Sequence, residues 1–175
     1  TAITFYGMAT FEGPLLSIKS VNYIGHYTDW VVGHVHAGTI GWNYMLIVGV
    51  LYFCAEKLWK TEMHSKKMAN TQFWLATIGL LLYMMSMWVS GITQGLMWRA
   101  VDATGKLVYP NFIETVVKIV PMYWVRAFGG VFVLTSFVLM ILNLWMTYRK
   151  SKFNDANKEV DVFKAAPLSA SKVDH

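Results

Sequence analysis

The sequence predicts an all-α, polytopic membrane protein, and three observations carry that prediction. Of 175 residues, 55% are hydrophobic and only 14% are charged, a balance that leaves longer apolar stretches than a soluble domain of this size usually carries. Three stretches reach the roughly 20 residues that a helix needs to cross a bilayer: about Trp30 to Ala55, about Phe73 to Trp98, and about Val116 to Tyr148. Tryptophans near the span ends, Trp30, Trp59, Trp98, Trp124 and Trp145, suit interfacial belts. The expected organisation is a transmembrane helical region over 1–150, comprising the end of one helix plus three full spans, and a polar cytoplasmic tail over 151–175.

In chain order, Thr1 to Gly13 reads as the end of a fourth apolar element whose beginning is missing. Pro14 disfavours helical backbone at Gly13 and marks a helix end there. Residues 14–29, with Pro14, Ser17, Lys19, Ser20, Asn22 and Asp29, form a polar outer connection. Asp29 is the better N-cap for the next helix, with Thr28 as the alternative, because Trp30 begins the apolar run. The first residues lack a charged n-region and a small-residue cleavage pattern, so no signal peptide is expected. The opening, apolar and without a methionine, suits a processed product or a piece of a longer polypeptide.

The first full span holds Gly33, Gly38, Gly41 and Gly49. Either these serve close helix packing, or Gly33 and Gly38 make room for flat cofactors beside the backbone. A short basic loop, 56–69, leads to the second span, whose Met84, Met85 and Met87 are read as packing rather than ligation. The third span places Arg126 about one to two turns inside its outer boundary, followed by Gly129 and Gly130. After Tyr148 the chain is polar without strong periodicity, and Pro167 to Lys172 reads as disordered or draped over a partner.

The net charge of +5 does not indicate nucleic acid, because the cations form no basic face interleaved with aromatics. They cluster at Lys57, Lys60, Lys66 and Lys67, and again at Arg149, Lys150, Lys152 and Lys158. Three alternating spans put both clusters on one side, which the positive-inside rule makes cytoplasmic, with the 99–115 loop outside. Cys54 is the only cysteine, so an intrachain disulfide and a thiolate metal cluster are both excluded.

Gly33-His34-Val35-His36-Ala37-Gly38 carries the chemistry. Ionisable groups at membrane depth are costly and usually functional. On a helix advancing ~100° per residue, His34 and His36 point to nearly opposite sides. They cannot easily share one metal, but each can serve a separate cofactor, and neutral imidazole is an axial ligand for haem iron. Propionates of such a haem need donors near the outer side, and His26, the indole of Trp30, Arg99 and Arg126 are the candidates. Arg126 alternatively snorkels to the interface or pairs with Glu114. Glu12 can accept the second N–H of His34, or it is an interfacial carboxylate.

Thr10-Phe11-Glu12-Gly13-Pro14, Ser17-Ile18-Lys19-Ser20, His26-Tyr27-Thr28-Asp29-Trp30, Gly33-His34-Val35-His36 and Gly91-Ile92-Thr93-Gln94-Gly95-Leu96-Met97-Trp98-Arg99 occur in that order. Together they resemble the catalytic subunit of cbb3-type cytochrome c oxidases, in the heme-copper oxidase superfamily, over about residues 1 to 150. The resemblance implies the C-terminal transmembrane helices of a twelve-helix subunit, with the histidine pair on the tenth. It implies that His34 is the proximal ligand of a high-spin haem and His36 an axial ligand of a low-spin haem, both b-type. Glu12 then matches the acidic partner of the proximal histidine and His26 the propionate-side histidine, with calcium at the propionates. The implied activity is reduction of oxygen to water with electrons from cytochrome c and coupled proton transfer.

The family's copper ligands and cross-linked tyrosine lie on earlier helices, and neither His64 nor His175 can stand in for them. The chain resembles the last third of the subunit only. Its implied partners are the N-terminal part of the same subunit, membrane-anchored c-type cytochrome subunits and the lipid bilayer. Two other readings stay open: a nitric oxide reductase catalytic subunit with a similar histidine pair, and a cofactor-free structural membrane subunit.

Overall fold

The computed structural model describes residues 1–165, with side chains to residue 152. The elements are α1 (Ala2–Ser17), α2 (Lys19–Gly25), α3 (Asp29–His36), a π-helical segment (Ala37–Tyr44), α4 (Met45–Leu58), α5 (Lys66–Trp98) and α6 (Phe112–Ala165). Three continuous helical stretches are long and apolar enough to cross a membrane: Asp29–Leu58, Lys66–Trp98 and Phe112–Lys152. The chain is a multi-pass, all-α membrane protein. Each span begins before its apolar core does, because polar first turns such as Lys66-Lys67 extend the helix beyond the hydrophobic stretch.

The connection between the first two apolar elements differs from expectation. Helix α1 runs through Pro14 to Ser17. Proline removes one hydrogen bond, but the preceding Gly13 has no Cβ to clash with the proline ring, and the Ser17 hydroxyl donates to the Pro14 carbonyl at 2.6 Å. Residues 19–25 form the short helix α2 instead of an irregular link. The cap of α3 is Thr28 rather than Asp29: its Oγ1 accepts the Trp30 N–H at 3.3 Å. Asp29 is unavailable as a cap because Gln94 of α5 claims it. Gln94 Oε1 accepts the Asp29 N–H at 2.7 Å, and Gln94 Nε2 donates to Asp29 Oδ2 at 3.0 Å.

Packing is set by small residues at close approaches. Helices α5 and α6 cross where Gly79 faces Gly129, and a Cβ on Gly129 would lie 2.5 Å from the Gly79 carbonyl oxygen. The π segment packs on α1 at Gly41, where the Phe5 ring sits. Phe5, Ala37, Leu80 and Met84 form the buried core. Met84 and Met87 are fully buried and Met85 is exposed.

At the basic end, the turn after α4 is bonded to one stripe of α6. Asn143 accepts the Ser65 N–H and donates to the Ser65 carbonyl, Thr147 accepts the His64 N–H, and Ser151 donates to the Trp59 carbonyl. Both lysine-rich clusters therefore sit at the same end. At the other end, residues 99–111 form a short loop closed by a Val101–Leu107 bridge. There Gly105 takes a φ of +80°, and Asp102 Oδ1 collects the Thr104 hydroxyl and the Thr104 and Lys106 amides. The Thr104 hydroxyl foremost, then those amides, holds the Asp102 carboxyl below its ordinary range. Helix α6 continues to Ala165, past the expected start of the polar tail at 151. The Pro167–Lys172 stretch and His175 lie outside the described residues.

Gly129→Ala tests the crossing. Its methyl group must push α6 away from the Gly79 backbone, which costs about 1–3 kcal/mol by the usual penalty for overpacking. A lowered thermal unfolding midpoint of the purified membrane protein is expected, while Gly130→Ala, where a Cβ meets nothing within 4 Å, leaves it near wild type.

Candidate functional site

Helix α3 presents both imidazoles. Thr28 starts the helix, Gly33 lets it lie against Met87 and Trp88 of α5, and after its 8 residues, at Ala37, it opens into the π segment. Such wide turns recur beside functional sites. His34 turns toward α1, where its Nδ1 stands 3.3 Å from Glu12 Oε2. His36 turns the other way, toward α5 and α6, and its Nε2 stands 3.3 Å from the Tyr83 hydroxyl. The opposed directions follow from the two-residue spacing.

Both rings are tethered by the same atom. His36 Nδ1 lies 2.7 Å from the Val32 carbonyl oxygen, one turn back on its own helix. A carbonyl only accepts, so Nδ1 carries the proton and Nε2 keeps a lone pair. In His34 the carboxylate of Glu12 plays the accepting part, which again leaves Nε2 with the lone pair. Metal-binding imidazoles are commonly held in this way, through the ring nitrogen that faces away from the metal. Among the described residues, no three His, Cys, Asp or Glu side chains come together to hold a bare ion. Two single, oppositely directed imidazoles fit a metal whose remaining ligands come with it, as iron in a porphyrin does.

The space beside His36 suits a flat apolar group. A cavity of about 380 Å³ is lined by His36, Ile40, Tyr44, Leu80, Tyr83, Gly130, Val133, Leu134 and Phe137. Gly130 has nothing within 4 Å of its would-be Cβ, so its missing side chain widens that wall. Gly33 and Gly41 serve packing, and Gly38 meets only Ala9 at 3.8 Å. A second cavity of about 300 Å³ adjoins Glu12 and Trp30, with Met8, Phe11, Leu15, Trp88 and Ile92 as the other walls. The N–H of Trp88 is buried beside Gly33 and has no hydrogen-bond partner among the described residues.

The other expected site residues are scattered. Glu12 is 7% exposed. Trp30 Nε1 donates to Glu12 Oε1 at 2.5 Å, so the N–H expected to face a propionate is engaged inside the protein. His26 is exposed at the end of α2, with its ring against Tyr27. Arg99 lies over the Tyr23 ring at 4.8 Å and donates to the Gly95 carbonyl. Arg126 lies over the Tyr123 ring at 4.3 Å, and among the described residues no carboxylate pairs with it, Glu114 included. Sequence reasoning missed Tyr83, Tyr44, and the Asp29–Gln94–Tyr123 cluster, in which Tyr123 donates to Asp29 Oδ2 at 2.8 Å. The Gln94-Gly95 pair was legible as a motif, but its partner on α3 was not.

Fold and site together define a multi-pass helical membrane protein that presents two single imidazoles from opposite sides of one transmembrane helix. The chain belongs to the family described as Cytochrome C and Quinol oxidase polypeptide I, which matches residues 1–132. It is 53% identical over 150 residues to cytochrome c oxidase subunit 1 of Rhodobacter capsulatus, covering 85% of this chain and 28% of the relative. It is 48% identical over 152 residues to the cbb3-type cytochrome c oxidase subunit CcoN1 of Stutzerimonas stutzeri, covering 86% and 32%. A more distant match, 22% identical over 143 residues and covering 79% and 29%, is a nitric oxide reductase subunit from Stutzerimonas stutzeri. The chain thus spans about a third or less of the length of these curated relatives.

Proposed function

We propose that this chain is the C-terminal, haem-facing part of the catalytic subunit of a cbb3-type cytochrome c oxidase, forming the last helices of a twelve-helix subunit in a bacterial inner membrane. One observation carries the reading: two imidazoles on opposite sides of α3, each with Nδ1 beside an acceptor oxygen, and with the Nε2 of His36 facing the Tyr83 hydroxyl across a cavity. His34 would then hold the iron of a high-spin b-type haem, and His36 that of a low-spin b-type haem. When bound, the haems, together with copper held elsewhere in the subunit, supply the redox chemistry that takes oxygen, four electrons and four protons to two water molecules. The electrons come from membrane-anchored c-type cytochrome subunits.

The residues of this chain hold and tune. Glu12 gives His34 a charged acceptor, whereas the Val32 carbonyl gives His36 a neutral one, so His34 is the stronger electron donor of the two. Tyr83, Gly130 and the aliphatic wall shape the cavity on the His36 side of the helix. Arg126, which has only the Tyr123 ring and the Met87 sulfur as described contacts, can offer its guanidinium to a propionate. His26 and Arg99 offer further charge nearby, with calcium as an additional propionate partner. Only 17% of the most apolar stretch of Asp29–Leu58 is buried, which suits a helix that packs on further parts of the same subunit. The shared end of the two basic clusters is the cytoplasmic one by the positive-inside rule.

Single substitutions in the complete oxidase test the assignment. His34→Ala is expected to remove the high-spin haem spectrum and leave the low-spin one, and His36→Ala to do the reverse. Two unchanged spectra would end the reading, and a haem-free wild-type assembly would favour a structural subunit. Metal analysis separates the enzymes: copper supports the oxidase, while extra non-haem iron without copper supports a nitric oxide reductase. Glu12→Gln keeps an acceptor oxygen and removes the charge. It is expected to retain haem, raise the high-spin midpoint potential, leave the low-spin one unchanged, and slow turnover roughly 10–100-fold.

A further inference from the structure

Trp30 and His34 stand four residues apart on α3 and so lie one above the other on the same face. Both converge on Glu12, and the two contacts are unequal. The indole Nε1 donates to Oε1 at 2.5 Å, while His34 Nδ1 lies 3.3 Å from Oε2. A buried carboxylate shared by two donors divides its negative charge between them, and in an apolar wall that division is not blurred by water. The shorter bond is the one to the indole.

The indole is itself held in place. The backbone N–H of Trp30 donates to Thr28 Oγ1. Helix α5 presses on it at Gly91, where any Cβ would collide with the Trp30 backbone. Gly25 of α2 lies against the ring, with its would-be Cβ 3.4 Å from Trp30 Cε3. The preceding residue, Asp29, is tied to Gln94 through both its amide and its carboxylate. The donor therefore has a fixed position, set by α2 and α5, from which it orients a carboxylate on α1.

We propose that Trp30 is a positioning residue for His34: its indole N–H fixes the Glu12 carboxylate and draws charge from it, limiting how strongly Glu12 polarises the imidazole. This rests on the reading of His34 as a haem ligand. Without the indole N–H, the carboxylate is more basic and closes on Nδ1, the imidazole gains anionic character, and the iron it binds becomes electron-richer.

The test is Trp30→Phe in the complete oxidase, read by redox titration of each haem and by resonance Raman of the reduced enzyme. Expected are full haem content, a downward shift of the high-spin midpoint with the low-spin midpoint unchanged, and a higher iron–histidine stretching frequency. In a Glu12→Gln background the Trp30→Phe shift should vanish, since the two act through one carboxylate. Trp30→His restores a ring N–H and should return the midpoint toward wild type, and it decides the matter if the phenylalanine variant fails to retain haem. An unchanged or raised high-spin midpoint in Trp30→Phe, the same shift with Gln at position 12, or no recovery with His overturns the proposal. A high-spin haem that survives His34→Ala instead overturns the ligand assignment beneath it, whatever Trp30→Phe does.

Discussion

A carboxylate cannot stand in an apolar layer without donors, and Glu12 is the point on which this arrangement turns. Its two oxygens take the indole N–H of Trp30 and face Nδ1 of His34, so one buried charge joins α1 to α3 and sets the orientation of an imidazole. The same rule governs the other helix contacts. Asp29 is satisfied by Gln94 of α5 and Tyr123 of α6, and Asn143, Thr147 and Ser151 complete the backbone of the turn between α4 and α5. Apolar side chains gain little by leaving lipid for a helix interface. These few polar links, with the glycine crossings at Gly79–Gly129 and Gly91–Trp30, therefore fix which helix faces meet.

Helical geometry then sends two imidazoles to opposite sides with one spacing. Residues i and i+2 diverge by roughly 200°, and the structure uses this to send His34 toward α1 and His36 toward the cavity between α5 and α6. Two acceptors of different charge stand behind the two rings, a carboxylate behind one and a peptide carbonyl behind the other. Identical side chains on one short helix thereby meet different surroundings.

Much of this was legible in the sequence, for identifiable reasons. The three spans follow from hydropathy, because length and composition decide membrane crossing. The opposed histidines follow from periodicity, and methionine packing from the chemistry of thioethers. What escaped depended on distant partners. Pro14 looked like a helix stop because the local rule ignores the missing Cβ of Gly13. Asp29 looked like a cap because Gln94, 65 residues away, was not visible beside it. The contact of Glu12 with the Trp30 N–H was hidden for the same reason, since only the fold brings the two together. Tyr83 and Gly130 carry no local signal, and their place on the His36 cavity comes from how α5 and α6 pack.

The most direct test is a high-resolution structure of the complete, haem-loaded subunit, read at the two imidazole Nε2 atoms. The account predicts that each is bonded to a different iron on opposite sides of α3, with Glu12 still bridging Trp30 and His34. An Nε2 of either histidine without iron, or both rings turned to one iron, would contradict it.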